Sequence, residues 1–285
     1  MRTSFLMAVI YTALAVSSQA TLIAHWDLDE ASSLYANTVP AGPLLTQDVA
    51  TDAAGTGAGI LGNAARLQFA VGPSTRLSSA SDPQAVNTFA FSMFVNPVFV
   101  SAGDTFLAAE ATGGSITTRT FDYWNWAVRA VTVGGGLGWE FIVRGQGGLG
   151  NEGFASQVTG QLLPSGGGQE GHWWHLAGGY DAATGAIGFY VRDMTDDPSA
   201  TAFAGIGDSG MTTHGAGLAL GTVDYNGSYV NFAADTSVDE VSLFDAMLTP
   251  QDVANLEVVP EPTTTLLLGV GALAIAWKAR HRARA

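Results

Sequence analysis

Residues 88–96 read Thr-Phe-Ala-Phe-Ser-Met-Phe-Val-Asn, and this stretch decides the class of fold. Its side chains alternate between Phe89, Phe91, Met93 and Val95 on one face and Ala90, Ser92 and Asn96 on the other. A repeat of two residues is the period of a β-strand, since successive side chains point to opposite faces of a sheet. The stretch therefore predicts a strand with one buried face.

The same period recurs outward from this strand. In 186–192, Ile187, Phe189 and Val191 share a face, and 173–181 repeats the pattern. Further strands are predicted at 22–28, 66–70, 75–78, 105–109, 127–133, 138–144, 154–159, 217–222 and 238–244. The 36 glycines suit tight turns between antiparallel strands. No long segment repeats apolar residues at helical spacing, so we predict an all-β domain over residues 21–258.

One short helix is predicted at 250–256, near the end of this domain. Thr249 is a good N-cap, Pro250 suits the first helical position, and Asp252 lies near the positive end of the helix.

Charge excludes one class of function. Residues 21–258 contain six Arg, no Lys and 24 Asp or Glu residues, a formal charge of −18. Nucleic acid is therefore not an expected partner, because phosphate binding needs clustered basic residues. An acidic surface suits solubility and divalent cations. The chain has no Cys, so the domain depends on its core and not on disulfides.

The N-terminal residues 1–20 have the pattern of a signal peptide. Arg2 precedes an apolar run from Phe5 to Val16, and the run is too short for a usual membrane span. Ser18-Gln19-Ala20 fits a small-x-small cleavage pattern, which places cleavage after Ala20. An uncleaved N-terminal anchor is the alternative.

The C-terminal residues 259–285 combine three features in order. Pro260, Glu261 and Pro262 cannot continue a helix or a central strand. An apolar stretch follows over 266–277, which we predict to be a membrane helix, although it is short for a stable span. Four basic residues from Lys278 to Arg284 favour the cytoplasmic side of a membrane. This order resembles the PEP-CTERM sorting signal. The resemblance implies an exosortase-type membrane protease as partner, transient contact with the inner membrane, and a Gram-negative source that often makes exopolysaccharide. An ordinary membrane anchor is the alternative.

Four segments of the domain, taken together, resemble the laminin-G-like, concanavalin-A-like jelly-roll family. They are Ile23–Glu30, Gly59–Phe69, Phe89–Pro97 with Trp174–Asp181, and Val238–Phe244 leading into the predicted helix. The resemblance implies a two-sheet antiparallel jelly-roll sandwich, and it implies that members bind glycans, proteins or calcium. Two positions depart from the family pattern, because Ser242 replaces a basic residue and Gly179 replaces a Thr.

Asp239 is the candidate metal ligand. In a regular strand it would share a face with Val241 and Leu243, and a carboxylate buried among apolar residues needs a partner. In calcium-binding jelly rolls an acidic residue of the last strand is a ligand. The resemblance thus implies structural Ca²⁺ at Asp239, with Glu30 or Asp27 nearby. The alternative is a carboxylate that caps a turn or faces water.

Residues 172–175 read His-Trp-Trp-His, which looks like a metal motif. In a strand His172 and His175 face opposite ways, so they are not expected to chelate one ion. Trp173 and Trp174 are instead expected to pack in the core and at the sheet edge.

Residues 121–126 contain an aromatic cluster with Tyr123, Trp124 and Trp126. Exposed aromatic rings can stack on sugars, so these three residues are the candidate ligand-binding site. The alternative is that they fold back onto the core.

Two known catalytic motifs are absent from the sequence, whereas a Ser–His–Asp triad is possible but unsupported, since residues 21–258 contain three His beyond His25. The sequence has no E-x-D-x-x-E pair for a retaining glycosidase and no G-x-S-x-G nucleophile elbow. Two G-x-G-x-x-G matches, at 57–62 and 145–150, lack the strand and helix of a dinucleotide site. We therefore expect no enzyme activity.

The sequence as a whole favours an exported module at the cell surface, at the outer membrane or in the extracellular matrix, binding extracellular polysaccharide or another surface component. The alternatives are a structural matrix protein without a discrete ligand and a divergent jelly-roll hydrolase or lyase.

Overall fold

The structure is a computed structural model, which describes residues 20–30, 34–40, 42–47, 55–67, 77–79, 81, 88–110, 124–144, 154–160, 172–210, 217–221, 223–225, 228–230 and 236–257. The predicted signal peptide, apart from Ala20, and the predicted sorting segment 259–285 lie outside the described residues. No helix within the described ranges is long and apolar enough to span a membrane.

The described elements are strands with one helix near the end. In chain order they are β1 (Leu22–Trp26), β2 (Leu34–Tyr35), β3 (Leu45–Gln47), β4 (Gly55–Ala58), β5 (Asn63–Leu67), β6 (Leu77–Ser79), β7 (Thr88–Pro97), β8 (Thr105–Glu110), β9 (Trp124–Val133), β10 (Gly136–Arg144), β11 (Phe154–Val158), β12 (Trp174–Asp181), β13 (Ala186–Asp193), β14 (Asp197–Ile206), β15 (Leu218–Leu220), β16 (Val223–Tyr225), β17 (Ser228–Val230), β18 (Thr236–Phe244) and α1 (Pro250–Leu256).

These strands form two large antiparallel sheets. The first has the order β14-β13-β12-β7-β18-β5-β4, and β1 also pairs with β18. The second has the order β11-β10-β9-β8-β15-β6-β3-β2, and β16 pairs with β17 in a separate ribbon. The prediction of an all-β, two-sheet sandwich is confirmed.

The core lies between the two sheets and is rich in aromatic side chains. Phe91 of β7 stacks on Trp126 of β9 at a ring-centroid distance of 5.8 Å, and Phe141 of β10 meets Phe91 edge-on at 5.0 Å. Phe89 and Trp126 have centroids 4.9 Å apart. The alternation predicted for residues 88–96 is therefore confirmed, because the Phe89–Val95 face of β7 is buried between the sheets.

Helix α1 lies on the outer face of the first sheet. Val253 of the helix packs with Ala90 of β7, Ala177 of β12 and Phe244 of β18 in a small second cluster. The N-terminus has the predicted cap: the Thr249 side chain accepts a hydrogen bond from the Asp252 backbone N–H, and the Asp252 carboxylate accepts one from Thr249 in return. The predicted helix is confirmed with its bounds.

A β-bulge interrupts β18 between Asp239 and Ser242, where Glu240 has a φ of 51°. Asp239 pairs with Phe94, which faces away from the core and stacks on His175. Directly opposed residues of an antiparallel pair lie on one face of the sheet. The prediction that Asp239 shares the face of Val241 and Leu243 is wrong, because it assumed a regular strand.

Candidate functional site

A pocket opens on the outer face of the first sheet, between α1 and the turn at 59–62. Its volume is about 190 Å³. Its lining combines polar and apolar side chains, and the lining residues are Leu22, His25, Leu61, Ser92, Phe94, Glu240, Ser242, Phe244 and Leu256. We call it the outer-face pocket.

Strand register explains why residues distant in sequence meet in this pocket. Ser242 of β18 pairs with Ser92 of β7 on one side and with His25 of β1 on the other. On the other side of β7, Phe94 pairs with His175 of β12, and the centroids of the two rings are 4.5 Å apart. The bulge in β18 then brings Glu240 to the rim beside His25.

The first polar array in this region runs through Ser92, His175 and Glu257. The Ser92 Oγ lies 2.8 Å from His175 Nε2, and His175 Nδ1 lies 2.8 Å from Glu257 Oε1. The other oxygen of Glu257 accepts a hydrogen bond from the guanidinium of Arg192. Burial alone would raise the pKa of Glu257, but the hydrogen bonds and charges of His175 and Arg192 hold it below its ordinary value. Glu257 is therefore a carboxylate that joins the end of α1 to the sheet.

The second polar array runs through Ser242, His25 and Glu240. The Ser242 Oγ lies 2.9 Å from His25 Nδ1, and His25 Nε2 lies 3.2 Å from Glu240 Oε2. Burial lowers the pKa of His25 despite the opposing charge of Asp27. Burial also raises the pKa of Glu240 to about 7, with further contributions from neighbouring carboxylates. Both shifts favour the neutral forms, so the pair offers a ligand hydroxyl donors and acceptors without full charge.

Asp239 lies beside the pocket, fully buried under the 59–62 turn. Its Oδ2 accepts hydrogen bonds from the backbone N–H groups of Ile60 at 2.8 Å and Leu61 at 3.1 Å. Burial, the largest influence, raises the pKa of Asp239 to about 7. Among the described residues, Oδ1 is buried without a hydrogen-bond partner. Asp239 therefore fixes the turn that forms one wall of the pocket.

The predicted calcium ligands are only partly suited to a shared ion. Glu30 accepts a hydrogen bond from the Ala36 N–H at 2.9 Å, and its other oxygen is buried without a described partner. Within the described ranges, the ligand atoms of Asp27, Glu30 and Asp239 do not lie within 4.8 Å of one another as a group. Calcium binding through Asp239, Glu30 or Asp27 stays a prediction, supported by the unpartnered oxygens of Asp239 and Glu30.

Three other potential metal ligands do converge, at the start of β12 and the end of β13. The ligand atoms of His172, Asp193 and Asp196 lie within 4.8 Å of one another, and Asp196 is exposed. His175 is buried and engages Ser92 and Glu257 instead. The two histidines thus have separate partners, as strand geometry predicts, and Trp174 is buried against Trp139.

The aromatic cluster does not form the predicted sugar platform as a unit. Trp126 is fully buried and packs between Phe89 and Phe91, so its assignment to a ligand-binding surface is corrected: it is a core residue. Trp124 is the first residue of β9, and Tyr123 lies outside the described residues. Side chains alternate between the two faces of β9, and Trp126 lies on the inward face together with its buried cross-strand partner on β10, Val143.

Comparison with known proteins identifies the C-terminal end. Residues 258–282 match the family model described as the PEP-CTERM protein-sorting motif. This segment is a PEP-CTERM sorting signal. The motif begins directly after Glu257, so the PEP-CTERM segment follows the residue that ties α1 to the sheet. No curated protein matches the chain.

Solved structures share the fold of the domain before the PEP-CTERM segment. Domain 4 of AbnA, a GH43 extracellular arabinanase from Geobacillus stearothermophilus in complex with arabinotriose, is 18% identical with a TM-score of 0.51, covering 84% of this chain and 98% of that one. The binding domain of botulinum neurotoxin DC in complex with SialylT is 7% identical with a TM-score of 0.51, covering 82% of this chain. This chain spans about half of that structure, 50%. At these identities the likeness shows the sandwich fold.

Proposed function

We propose that this exported protein is processed by an exosortase-type membrane protease and displays the outer-face pocket as a saccharide-binding site at the cell surface or in the extracellular matrix. The PEP-CTERM motif at 258–282 indicates export and processing. The observation that carries the binding role is the convergence of His25, Glu240, Ser242 and Ser92 in one pocket with apolar walls.

The chemistry of the pocket suits one sugar unit. Ligand sites are concave, mostly apolar, and carry a few polar groups that fix orientation. Phe94 and Leu61 offer apolar surface to the C–H face of a sugar, while Glu240 and His25 offer hydrogen bonds to its hydroxyls. A cavity of about 150 Å³ already holds a benzene-sized group, so about 190 Å³ accommodates a single ring.

Charge favours a neutral saccharide over an anionic one. The domain carries a formal charge of −18, and Asp27, Asp29 and Asp239 surround Glu240. A field of one sign repels ligands of the same sign. The arabinotriose complex of AbnA domain 4 supports the class of ligand, since that domain has the same fold.

The experiment is a glycan array probed with the purified full chain, followed by calorimetry on each glycan that binds. Glu240→Ala and His25→Ala should each weaken binding about 10-fold or more, because each leaves a ligand hydroxyl without its partner. His172→Ala is the matched control, a partly buried histidine that does not line the pocket, and should bind as the wild type does. Binding that is unchanged in both pocket variants would overturn the site.

A structural matrix protein without a discrete ligand is the other outcome of this experiment. No binding to any neutral glycan by the folded chain would favour it.

Calcium binding is tested separately. Ca²⁺ should raise the melting temperature of the wild type and leave the melting temperature of Asp239→Asn unchanged. Equal melting temperatures in calcium and in chelator would end the calcium prediction.

A further inference from the structure

We propose that Ser92, His175 and Glu257 form a nucleophilic Ser–His–Glu relay that reacts with esters of short aliphatic acids at the base of the outer-face pocket. The inference goes beyond saccharide binding and does not depend on it. It rests on the geometry of the three side chains and on the lining of the pocket.

The distances are those of an activated serine. Ser92 Oγ and His175 Nε2 are 2.8 Å apart, and the opposite nitrogen of the ring, Nδ1, is 2.8 Å from Glu257 Oε1. A nucleophile within hydrogen-bond reach of a base, and a base oriented by a third group, is the geometric signature of covalent catalysis. The same arrangement occurs on unrelated folds and in different chain orders.

The surroundings of His175 fix its tautomer. Glu257 accepts hydrogen bonds from both His175 and Arg192, and these contacts hold the pKa of Glu257 low, so it remains a carboxylate. A carboxylate only accepts, so Nδ1 carries a proton, and in the neutral imidazole Nε2 then presents its lone pair to Ser92. Phe94 stacks on the imidazole with ring centroids 4.5 Å apart, a contact that favours this ring orientation.

The pocket supplies a place for the ester. Ser92 lines it together with the apolar side chains of Leu22, Leu61 and Phe244, which suit a short acyl chain. Ser242 is the cross-strand partner of Ser92, so the two Cβ atoms are about 5 Å apart. When His25 Nδ1 donates to Ser242 Oγ, at 2.9 Å, the Ser242 hydroxyl hydrogen is free to bind the developing oxyanion.

The reaction balances with water as the second reactant. Ser92 Oγ bonds to the ester carbonyl carbon while its proton passes to His175 Nε2. The carbon–oxygen bond to the alcohol breaks, and the alcohol leaves with the proton from Nε2. Water then attacks the acyl-Ser92 with Nε2 as base, which releases the carboxylic acid and restores the serine.

A relay that served only to hold α1 against the sheet would have the same hydrogen bonds but an unreactive serine. The test is therefore covalent chemistry. The full chain is treated with a fluorophosphonate, from which a nucleophilic serine displaces fluoride. Intact mass counts the adducts, peptide mapping locates them, and turnover of p-nitrophenyl acetate and butyrate is followed in parallel.

We expect one adduct, located on Ser92, and none in Ser92→Ala. Glu257→Gln should slow labelling and turnover about 100-fold, because Gln no longer stabilises the imidazolium. Ser156→Ala, a half-buried strand serine of the other sheet, is the control and should label at the wild-type rate. Circular dichroism and melting temperature establish that each variant folds.

Two results would overturn the relay. One is a folded wild type without an adduct on Ser92, including a wild type labelled elsewhere. The other is a Glu257→Gln variant that labels as fast as the wild type. Peptide mapping of the wild type decides the first outcome even where Ser92→Ala fails to fold.

Discussion

Asp239 has two roles at the residue scale that oppose each other. Its Oδ2 fixes the 59–62 turn by two backbone hydrogen bonds, while its burial disfavours the charged form and raises its pKa to about 7. Because the native state binds this proton more tightly than the unfolded chain, Asp239 contributes most to stability at low pH. That contribution is lost as pH rises from about 4 through 7.

Asp239→Asn tests this balance, because the amide keeps an oxygen for Ile60 and Leu61 but cannot ionise. We expect the wild-type minus variant difference in the free energy of unfolding to fall with rising pH, by on the order of 1–3 kcal/mol between pH 4 and pH 8. Urea unfolding at several pH values measures it. Asp196→Asn, at an exposed carboxylate, is the control. A difference that is flat or rises with pH would contradict the burial argument.

Single residues also show which contacts cannot be predicted from the sequence. The pairing of Ser92 with Ser242, and of Glu257 with His175, depends on strand register and on where α1 lies, and neither is visible in one sequence. The one available signal was the position of Ser92 on the polar face of an otherwise apolar strand. Trp126 is the opposite case: aromatic content suggested a surface, and alternation along β9 buries it.

At the element scale, strands with strict alternation were predictable and irregular ones were not. β7, β12 and β13 match their predicted ranges to within one residue because large apolar side chains alternate along each of them. The bulge of β18 was missed, although the spacing of Val238, Val241 and Leu243 by three and then two residues departs from a regular strand. Short strands such as β2, β3 and β4 carry too few residues to show a period.

Packing of β12 against the chain before α1 explains why the family's Thr is replaced by Gly179. A Cβ at Gly179 would lie 2.7 Å from the Phe89 carbonyl oxygen and 2.8 Å from Met247 Sδ. A backbone atom cannot move aside as a flexible side chain does. The glycine therefore permits close approach of β7 and the Met247 segment.

Gly179→Thr should therefore destabilise the fold by about 1–3 kcal/mol, the usual effect of overpacking. Gly188→Ala is the control on the neighbouring strand, where the added Cβ meets Met247 Cε at 3.4 Å and Tyr190 Cε2 at 3.9 Å, both ordinary contacts. It should change stability by less than about 0.5 kcal/mol. Urea unfolding compares the two, and equal stability of Gly179→Thr and the wild type would refute the close approach.

At the scale of the whole molecule, the domain and the sorting segment have opposite charge. The domain carries −18, whereas four basic residues follow the apolar stretch of the PEP-CTERM segment. Basic residues favour the cytoplasmic side, so we expect them to hold the end of this segment inside while the acidic domain is exported. Composition alone predicts this division, because it depends on charge and hydropathy along the chain and not on folded contacts.

Removal of the sorting segment gives the last prediction. The extracellular product should lack Arg280, Arg282 and Arg284, since processing at or near Pro260-Glu261-Pro262 separates them from the domain. Replacing Glu261 and both prolines by Ala should leave the full-length chain in the membrane fraction, while Thr264→Ala, just outside the tripeptide, should be released normally. Mass spectrometry of each fraction reads the C-terminus directly. Arginine-bearing C-terminal peptides on the released wild-type protein would mean that the segment is not removed by processing, whereas a wild-type chain found only in the membrane fraction would mean that the segment acts as a permanent anchor.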